Sequence, residues 1–216
     1  GNKDCLKDGY GWLSPIYHYA SWILSCNQLH KYYDDVILVT DRVGYDVLID
    51  KLHLPYADVI VCLDELSKYN PNLWALAKIK AYSLLNEPFI HVDVFVWDKF
   101  DSCLENHDLI VQNIEITTDY YRTMWSEIRP SISNLPEVME NYDQNVSHKA
   151  YNMGIFGGND ILFIKDYCKQ ALDFVDRNIE QVNKLQGINF NIFFEQVLLH
   201  ELAARYDKNV VTYIKE

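Results

Sequence analysis

The hydrophobic pattern alternates between short β-branched runs and longer segments with apolar residues three and four positions apart. The short runs predict strands at Val36–Thr40, Val59–Leu63, Phe89–Trp97, Leu109–Gln112, Tyr151–Phe156 and Val210–Tyr213. The longer segments predict helices at Trp12–Tyr32, Tyr45–Leu54, Leu73–Leu85, Asp160–Asn178 and Ile192–Arg205. This alternation predicts an α/β fold with a mostly parallel sheet and helices on both faces.

Residues 115–150 follow neither period and are rich in Tyr, Asn, Ser and Pro. Such a segment is typical of an irregular excursion or lid. The chain has no low-complexity linker and no internal repeat, and 216 residues suffice for one sizeable core. One domain over residues 1–216 is therefore predicted.

Composition narrows the class of protein. A hydrophobic content of 49% is typical of a globular protein, and the formal charge of −12 argues against a nucleic-acid partner. No apolar run approaches the roughly 20 residues that a transmembrane helix needs, and the first residues have no secretory pattern. The five cysteines are widely spaced and form no CxxC motif, which favours a reducing compartment. We therefore expect a cytoplasmic protein, which could also associate with a membrane surface.

The predicted strand Phe89–Trp97 carries one acid in an apolar run, FIHVDVFVW. Asp93 shares a face with His91, because side chains alternate along a strand. An aspartate there needs a partner, a metal or water, and in α/β folds acids at strand ends often face a ligand crevice. The alternative is that Asp93 caps a turn or pairs with a buried base.

A second candidate segment is YNMGIFGGND at residues 151–160. Gly154, Gly157 and Gly158 allow a ligand to approach the backbone closely, and Asn152 offers an amide. The alternative is a strand-to-helix turn in which the glycines serve geometry alone.

Several segments together resemble the nucleotide-sugar glycosyltransferases of the GT-A fold, more narrowly bacterial, Bacteroides-type members. They are GWLSPIYHYASWILSC (11–26), VILVTDRVGYDVLIDKL (36–52), PFIHVDVFVWDKF (88–100), YNMGIFGGND (151–160) and FFEQVLL (193–199). The resemblance implies a GT-A-like fold and transfer of a sugar from a nucleotide-diphosphate donor to a glycan or other acceptor, for instance in surface-polysaccharide synthesis.

The resemblance also implies a divalent metal, Mn²⁺ or Mg²⁺, held by two strand-end aspartates. Such a cation takes oxygen ligands and stabilises the departing diphosphate. Here only Asp93 matches, and the next acid, Asp98, lies roughly 16 Å further along an extended strand. His91, roughly 6.6 Å from Asp93, is either a shared metal ligand or a buried hydrogen-bonded histidine.

Further roles follow from the resemblance. Glu195 is the candidate catalytic base, Asp41 a nucleotide contact, and Asn152 and the glycines a sugar-binding segment. On the residues alone, the alternative is that Glu195 is a solvated position of an amphipathic helix and that Asp41 is a helix cap.

Aromatic residues give a weaker signal. Tyr120, Tyr121 and Trp125 lie in the irregular region, where they could form a platform for an acceptor. Trp12, Trp22 and Trp74 lie on apolar helical faces and are predicted to be core residues.

Two other functions compete with sugar transfer. The missing second aspartate favours a catalytically impaired relative that serves as a binding or scaffold protein. His91, Asp93 and His107 suggest a metal-dependent hydrolase, although they lack a tight ligand spacing. A carboxylate of Asp93 sealed in the core against a lysine or arginine would argue against sugar transfer.

Overall fold

The computed structural model describes residues 12–93, 98–100, 106–116, 119–144, 149–185 and 189–215. The chain divides into two compact units, whereas the sequence pattern predicts one domain. The first unit comprises Gly1–Pro71 and Val94–Phe100, and the second comprises Asn72–Asp93 and Asp101–Glu216. The second half of the predicted strand Phe89–Trp97 lies outside the described residues.

The first unit contains a two-stranded parallel sheet. Its elements are α1 (Pro15–Leu29), β1 (Ile37–Thr40), α2 (Arg42–Tyr45), a π-helical segment (Asp46–Lys51), β2 (Asp58–Val61) and a 3-10 helix (Leu63–Lys68). Helix α1 begins at Pro15, because proline is preorganised for the first helical position. Trp22 packs against the buried cluster around Cys26, but Trp12 is 47% exposed, so the prediction that Trp12 is a core residue is wrong.

The second unit contains a four-stranded sheet and longer helices. Its main elements are α3 (Leu76–Leu84), β3 (Phe89–Val92), β4 (Leu109–Ile116), α4 (Asp119–Ile128), α5 (Glu140–Gln144), β5 (Lys149–Gly158), α6 (Ile161–Val182), α7 (Leu198–Arg205) and β6 (Val210–Thr212). Short 3-10 helices span Arg129–Ser131 and Glu137–Met139, and a π-helical turn at Phe193–Val197 leads directly into α7.

The order of the four-stranded sheet is β3-β5-β4-β6. Strand β5 is antiparallel to both β3 and β4, and only β4 and β6 are parallel. The mixed α/β class is therefore confirmed, but the expectation of a mostly parallel sheet is wrong for this unit. None of the helices within the described ranges has both the length and the apolarity to cross a bilayer.

The region predicted to be an irregular excursion is largely regular. Strand β4 extends to Ile116, and α4 follows with Tyr121, Trp125 and Ile128 buried at helical spacing. Tyr121 and Trp125 are each 4% exposed, so neither can serve as an acceptor platform without rearrangement. The sequence pattern did not predict this helix, because two of its three buried residues are Tyr and Trp, which carry a polar group, and most residues around them are polar.

Strand β5 lies in the middle of the sheet and requires two glycines at its end. A Cβ on Gly157 would lie 1.9 Å from the carbonyl oxygen of Phe89, and one on Gly158 would lie 2.1 Å from that of Asp108. Gly158 also has φ of +137°, which side-chain-bearing residues rarely adopt. Close backbone approach within the sheet thus accounts for both glycines.

We expect Gly157→Ala to lower the free energy of unfolding by about 2–4 kcal/mol, because the new methyl group meets fixed backbone of β3. Gly154→Ala is the matched control on the same strand. Its methyl group would meet the terminal amide of Gln112, which can rotate away, so its cost should be below about 1 kcal/mol. Urea unfolding of both variants measures the difference, and equal costs would contradict this account of the strand packing.

Candidate functional site

Asp93 is the first residue after β3, as the strand-end interpretation predicts. Its backbone N–H donates to the carbonyl oxygen of Gly154 at 2.8 Å, which fixes the end of β3 against β5. The Asp93 side chain is 39% exposed, so its carboxylate reaches solvent.

The carboxylate of Asp93 is paired with a lysine that the sequence analysis did not single out. Lys78, on α3, places its Nζ 2.9 Å from Oδ2 of Asp93 and 2.5 Å from Oε1 of Glu195. The same ammonium donates to the carbonyl oxygen of Met153 at 3.3 Å. One cation therefore connects α3, the end of β3, the middle of β5 and the π-helical turn.

His91 holds the other oxygen of the Asp93 carboxylate. Its Nε2 lies 2.8 Å from Oδ1 of Asp93, and its ring meets the ring of Tyr82 edge-on at 5.1 Å. Burial lowers the pKa of His91, against the opposing effect of Asp93. Although burial alone would raise it, the pKa of Asp93 is held below its ordinary value by His91 and Lys78. The structure thus shows His91 partly buried and hydrogen-bonded to Asp93, and metal binding by His91 stays a prediction.

Glu195 is fully buried, which contradicts the solvated alternative. It lies in the π-helical turn, whose widened geometry recurs at functional sites, and its carbonyl oxygen accepts from the Tyr167 hydroxyl at 2.7 Å. Burial raises the pKa of Glu195 more than the Lys78 charge lowers it. Oε1 of Glu195 has no hydrogen bond of good geometry among the described residues, so its pairing with Lys78 is mainly electrostatic.

Asn152 belongs to a polar network beside this cluster. Its Nδ2 donates to Glu115 at 2.7 Å, and its Oδ1 accepts from the backbone N–H of Gly154 at 2.9 Å. The Tyr121 hydroxyl lies 2.6 Å from Glu115 and 2.5 Å from Oε1 of Gln196. A hydroxyl has a single proton, so Tyr121 donates to one of these oxygens at a time. The network joins β4, β5 and α4 to the residue that follows Glu195.

The remaining predicted residues lie elsewhere. Gly157 and Gly158 are buried within the sheet, where backbone clearance explains them, and sugar binding there stays a prediction. Asp41 belongs to the first unit, where its Oδ1 accepts from the backbone N–H of Gly44 at 2.7 Å. The capping alternative for Asp41 is therefore confirmed, and its nucleotide contact stays a prediction.

The donor set around Asp93 does not fit a divalent metal. A hard cation needs several oxygen ligands, but Asp93 already has the positively charged Lys78 as a partner, and Glu195, the other carboxylate beside Lys78, is fully buried. Within the described ranges no three Asp, Glu, His or Cys side chains converge in a way that could hold an ion. The ammonium of Lys78 instead provides the positive charge between Asp93 and Glu195.

The hydrolase alternative finds no support in the position of His107. Its Nδ1 lies 3.2 Å from Nδ2 of Asn209, and its carbonyl oxygen accepts from the backbone N–H of Asn159, just past the end of β5. Asp93 instead binds β5 at Gly154, five residues earlier, or roughly 16 Å along a strand. His107 therefore does not join the group around Asp93.

Two shallow grooves of the second unit lie away from the charge cluster. Their volumes are about 390 and 470 Å³, and both run along the segment that contains Glu137 and Val138. Neither is lined by Asp93, Lys78 or Glu195. Neither groove is therefore the ligand crevice expected beside Asp93. The Asp93 side chain is exposed to solvent and is paired with Lys78.

We expect Lys78→Met to lower the free energy of unfolding by about 3 kcal/mol or more, because it leaves Glu195 buried without its cation. Lys169→Met, on the exposed side of α6, is the matched control and should change stability by about 0.5 kcal/mol or less. Urea unfolding measures both. A loss for Lys78→Met no larger than for the control would mean that the cluster contributes little to stability.

We expect Glu195→Gln to change how stability depends on pH. Because the pKa of Glu195 is raised above its ordinary 4.5, the folded chain keeps this proton where the unfolded chain has lost it. The free energy of unfolding therefore falls as the pH rises from 4.5 through the raised pKa, and the variant lacks this fall.

Unfolding of wild type and Glu195→Gln between about pH 5 and pH 8 tests this. The difference in stability should shift in favour of the variant as the pH rises. The lowered pKa of His91 acts in the opposite sense below its ordinary 6.5, but in both proteins, and the lowered pKa of Asp93 affects the pH dependence of stability only below pH 3.8, outside this range. A difference that stays constant with pH would contradict the raised pKa.

Comparison with known proteins places the chain in a family without adding an activity. Neither the curated proteins nor the solved structures provide a significant match. One family model matches residues 1–216, the whole sequence. The chain therefore belongs to the family described as "Family of unknown function (DUF6734)".

Proposed function

We propose that the protein binds a nucleotide-diphosphate sugar and transfers the sugar to a glycan or other acceptor, within a GT-A-like fold. The main support for the proposal is that Asp93 is both held in a fixed orientation and accessible to solvent. Its carboxylate follows the half-buried strand β3, is held on both oxygens by His91 and Lys78, and is still 39% exposed. The resemblance of the sequence segments to nucleotide-sugar glycosyltransferases supports the same class.

Asp93 is suited to accept hydrogen bonds from ribose or sugar hydroxyls. A carboxylate has about four acceptor positions, and His91 and Lys78 use two of them. Because its pKa is lowered, the group stays ionised at neutral pH. Fixed orientation reduces the entropy lost when a ligand binds. In this proposal Asp93 binds hydroxyl groups directly, and no step is assigned to a metal.

Lys78 is proposed to position Asp93 and to offset negative charge at the site. Its side chain is only 12% exposed, so little water competes for its ammonium. A phosphate oxygen near Asp93 would experience that charge at short range, where screening by solvent is weak.

Glu195 is proposed to hold Lys78 in place. A general base must reach the proton that it removes, and Glu195 has no exposed surface. A role as base in an inverting transfer would require the cluster to open. Its contact with Lys78 requires no such change.

The enclosure of Glu195 also favours the second candidate, a protein that binds the sugar nucleotide without transferring the sugar. Both candidates use Asp93 as the hydroxyl acceptor, and they differ in turnover. Release of free nucleotide diphosphate in the presence of acceptor or water separates them, because the binding protein releases none.

Calorimetric titration with UDP, GDP, UDP-glucose and GDP-mannose, with and without Mn²⁺, tests the proposal. We expect at least one sugar nucleotide to bind, and Asp93→Asn to weaken it about tenfold by removing an ionised acceptor. Asp166→Asn, on the exposed side of α6, should leave the affinity unchanged. Absence of binding by the wild type at millimolar concentrations would refute the proposal.

A further inference from the structure

Trp74 is exposed in a turn whose neighbouring residues are buried. Its side chain is 51% exposed, while Leu73, Ala75 and Leu76 are 6%, 0% and 1% exposed. The sequence pattern predicts a core residue here, and that prediction is wrong. A large indole left in water forgoes the stabilisation that burial would give it.

The turn that carries Trp74 is fixed by a buried amide. Oδ1 of Asn191 accepts from the backbone N–H of Ala75 at 3.1 Å, and its Nδ2 donates to the carbonyl oxygen of Asn72 at 2.8 Å. Asn191 is 2% exposed, so these bonds are protected from water. The backbone on both sides of Trp74 is therefore held in place, and the exposure of the indole is a defined feature of the fold.

The indole lies next to the charge cluster. Nζ of Lys78 is 5.7 Å from the centroid of the Trp74 ring, within the range of a cation–π contact. The same Nζ is 2.9 Å from Oδ2 of Asp93. The ring centre and the carboxylate oxygen can therefore be no more than about 9 Å apart.

A flat aromatic surface close to an oriented carboxylate has the chemistry of a pyranose site. A pyranose has a face of C–H groups, which packs on an aromatic ring, and a rim of hydroxyls, which donate to carboxylate oxygens. We propose that Trp74 is the stacking surface for the pyranose whose hydroxyls Asp93 binds. This inference rests on the proposed function and adds the residue that recognises the sugar ring.

The test compares Trp74→Ala and Trp74→Leu with wild type, using calorimetry with UDP, UDP-glucose and GDP-mannose. Leucine keeps an apolar side chain but has no flat ring. Trp74→Leu therefore tests stacking even if Trp74→Ala folds poorly. Trp12→Ala, which removes another half-exposed tryptophan, is the matched control. Saturation-transfer NMR with methyl pyranosides probes the sugar without a nucleotide.

We expect both Trp74 variants to bind the sugar nucleotide about tenfold more weakly and UDP within about twofold of wild type. Equal loss of UDP and sugar-nucleotide affinity would indicate that the ring stacks on the base and would overturn the inference, as would unchanged affinity. If wild type binds methyl pyranosides through Trp74 but no sugar nucleotide, the proposed function fails and this inference stands. If it binds neither, both are overturned.

Discussion

The ammonium of Lys78 is the contact on which the second unit's candidate site depends. It touches one carboxylate at the end of β3, a second carboxylate in the π-helical turn, and a carbonyl oxygen of β5. These elements are separated by up to 117 residues along the chain, from Lys78 to Glu195. Without that positive charge, the solvent-facing Asp93 and the buried Glu195 would face each other with no cation between them, so the geometry of the site and the stability of the unit are linked.

The pKa values of the two acids that contact Lys78 are shifted in opposite directions. Asp93 is half-exposed and bound by two partners, and its pKa is lowered. Glu195 is enclosed, and its pKa is raised by burial. Environments that shift the pKa values of two neighbouring carboxyl groups apart are typical of functional sites. The solvent-facing acid is therefore the one suited to a ligand, and the enclosed acid is suited to support.

The positions of most strands and of helices α6 and α7 could be predicted from the sequence, because their apolar periods are regular. The sheet order could not, since the apolar run Leu109–Val111 and the alternation within Tyr151–Phe156 are compatible with both parallel and antiparallel neighbours. Asp93 stood out as a charge in an apolar run. Lys78 did not, because lysines on helices are common and usually exposed, and only the tertiary structure shows its two distant partners. Glu115 and Gln196 likewise gave no local signal, and the partners of Tyr121 became clear only from the tertiary structure.

The π-helical turn before α7 has a consequence for how this sequence tolerates length changes. The backbone N–H of Leu198 donates to the carbonyl oxygen of Phe193, five residues earlier, so the turn accommodates one residue more than a regular α-helix. Removing a residue there would restore the ordinary winding and rotate all preceding side chains by about 100° relative to α7. Single-residue deletions in this short stretch should therefore be far more disruptive than conservative replacements, whatever the chemistry of the residue removed.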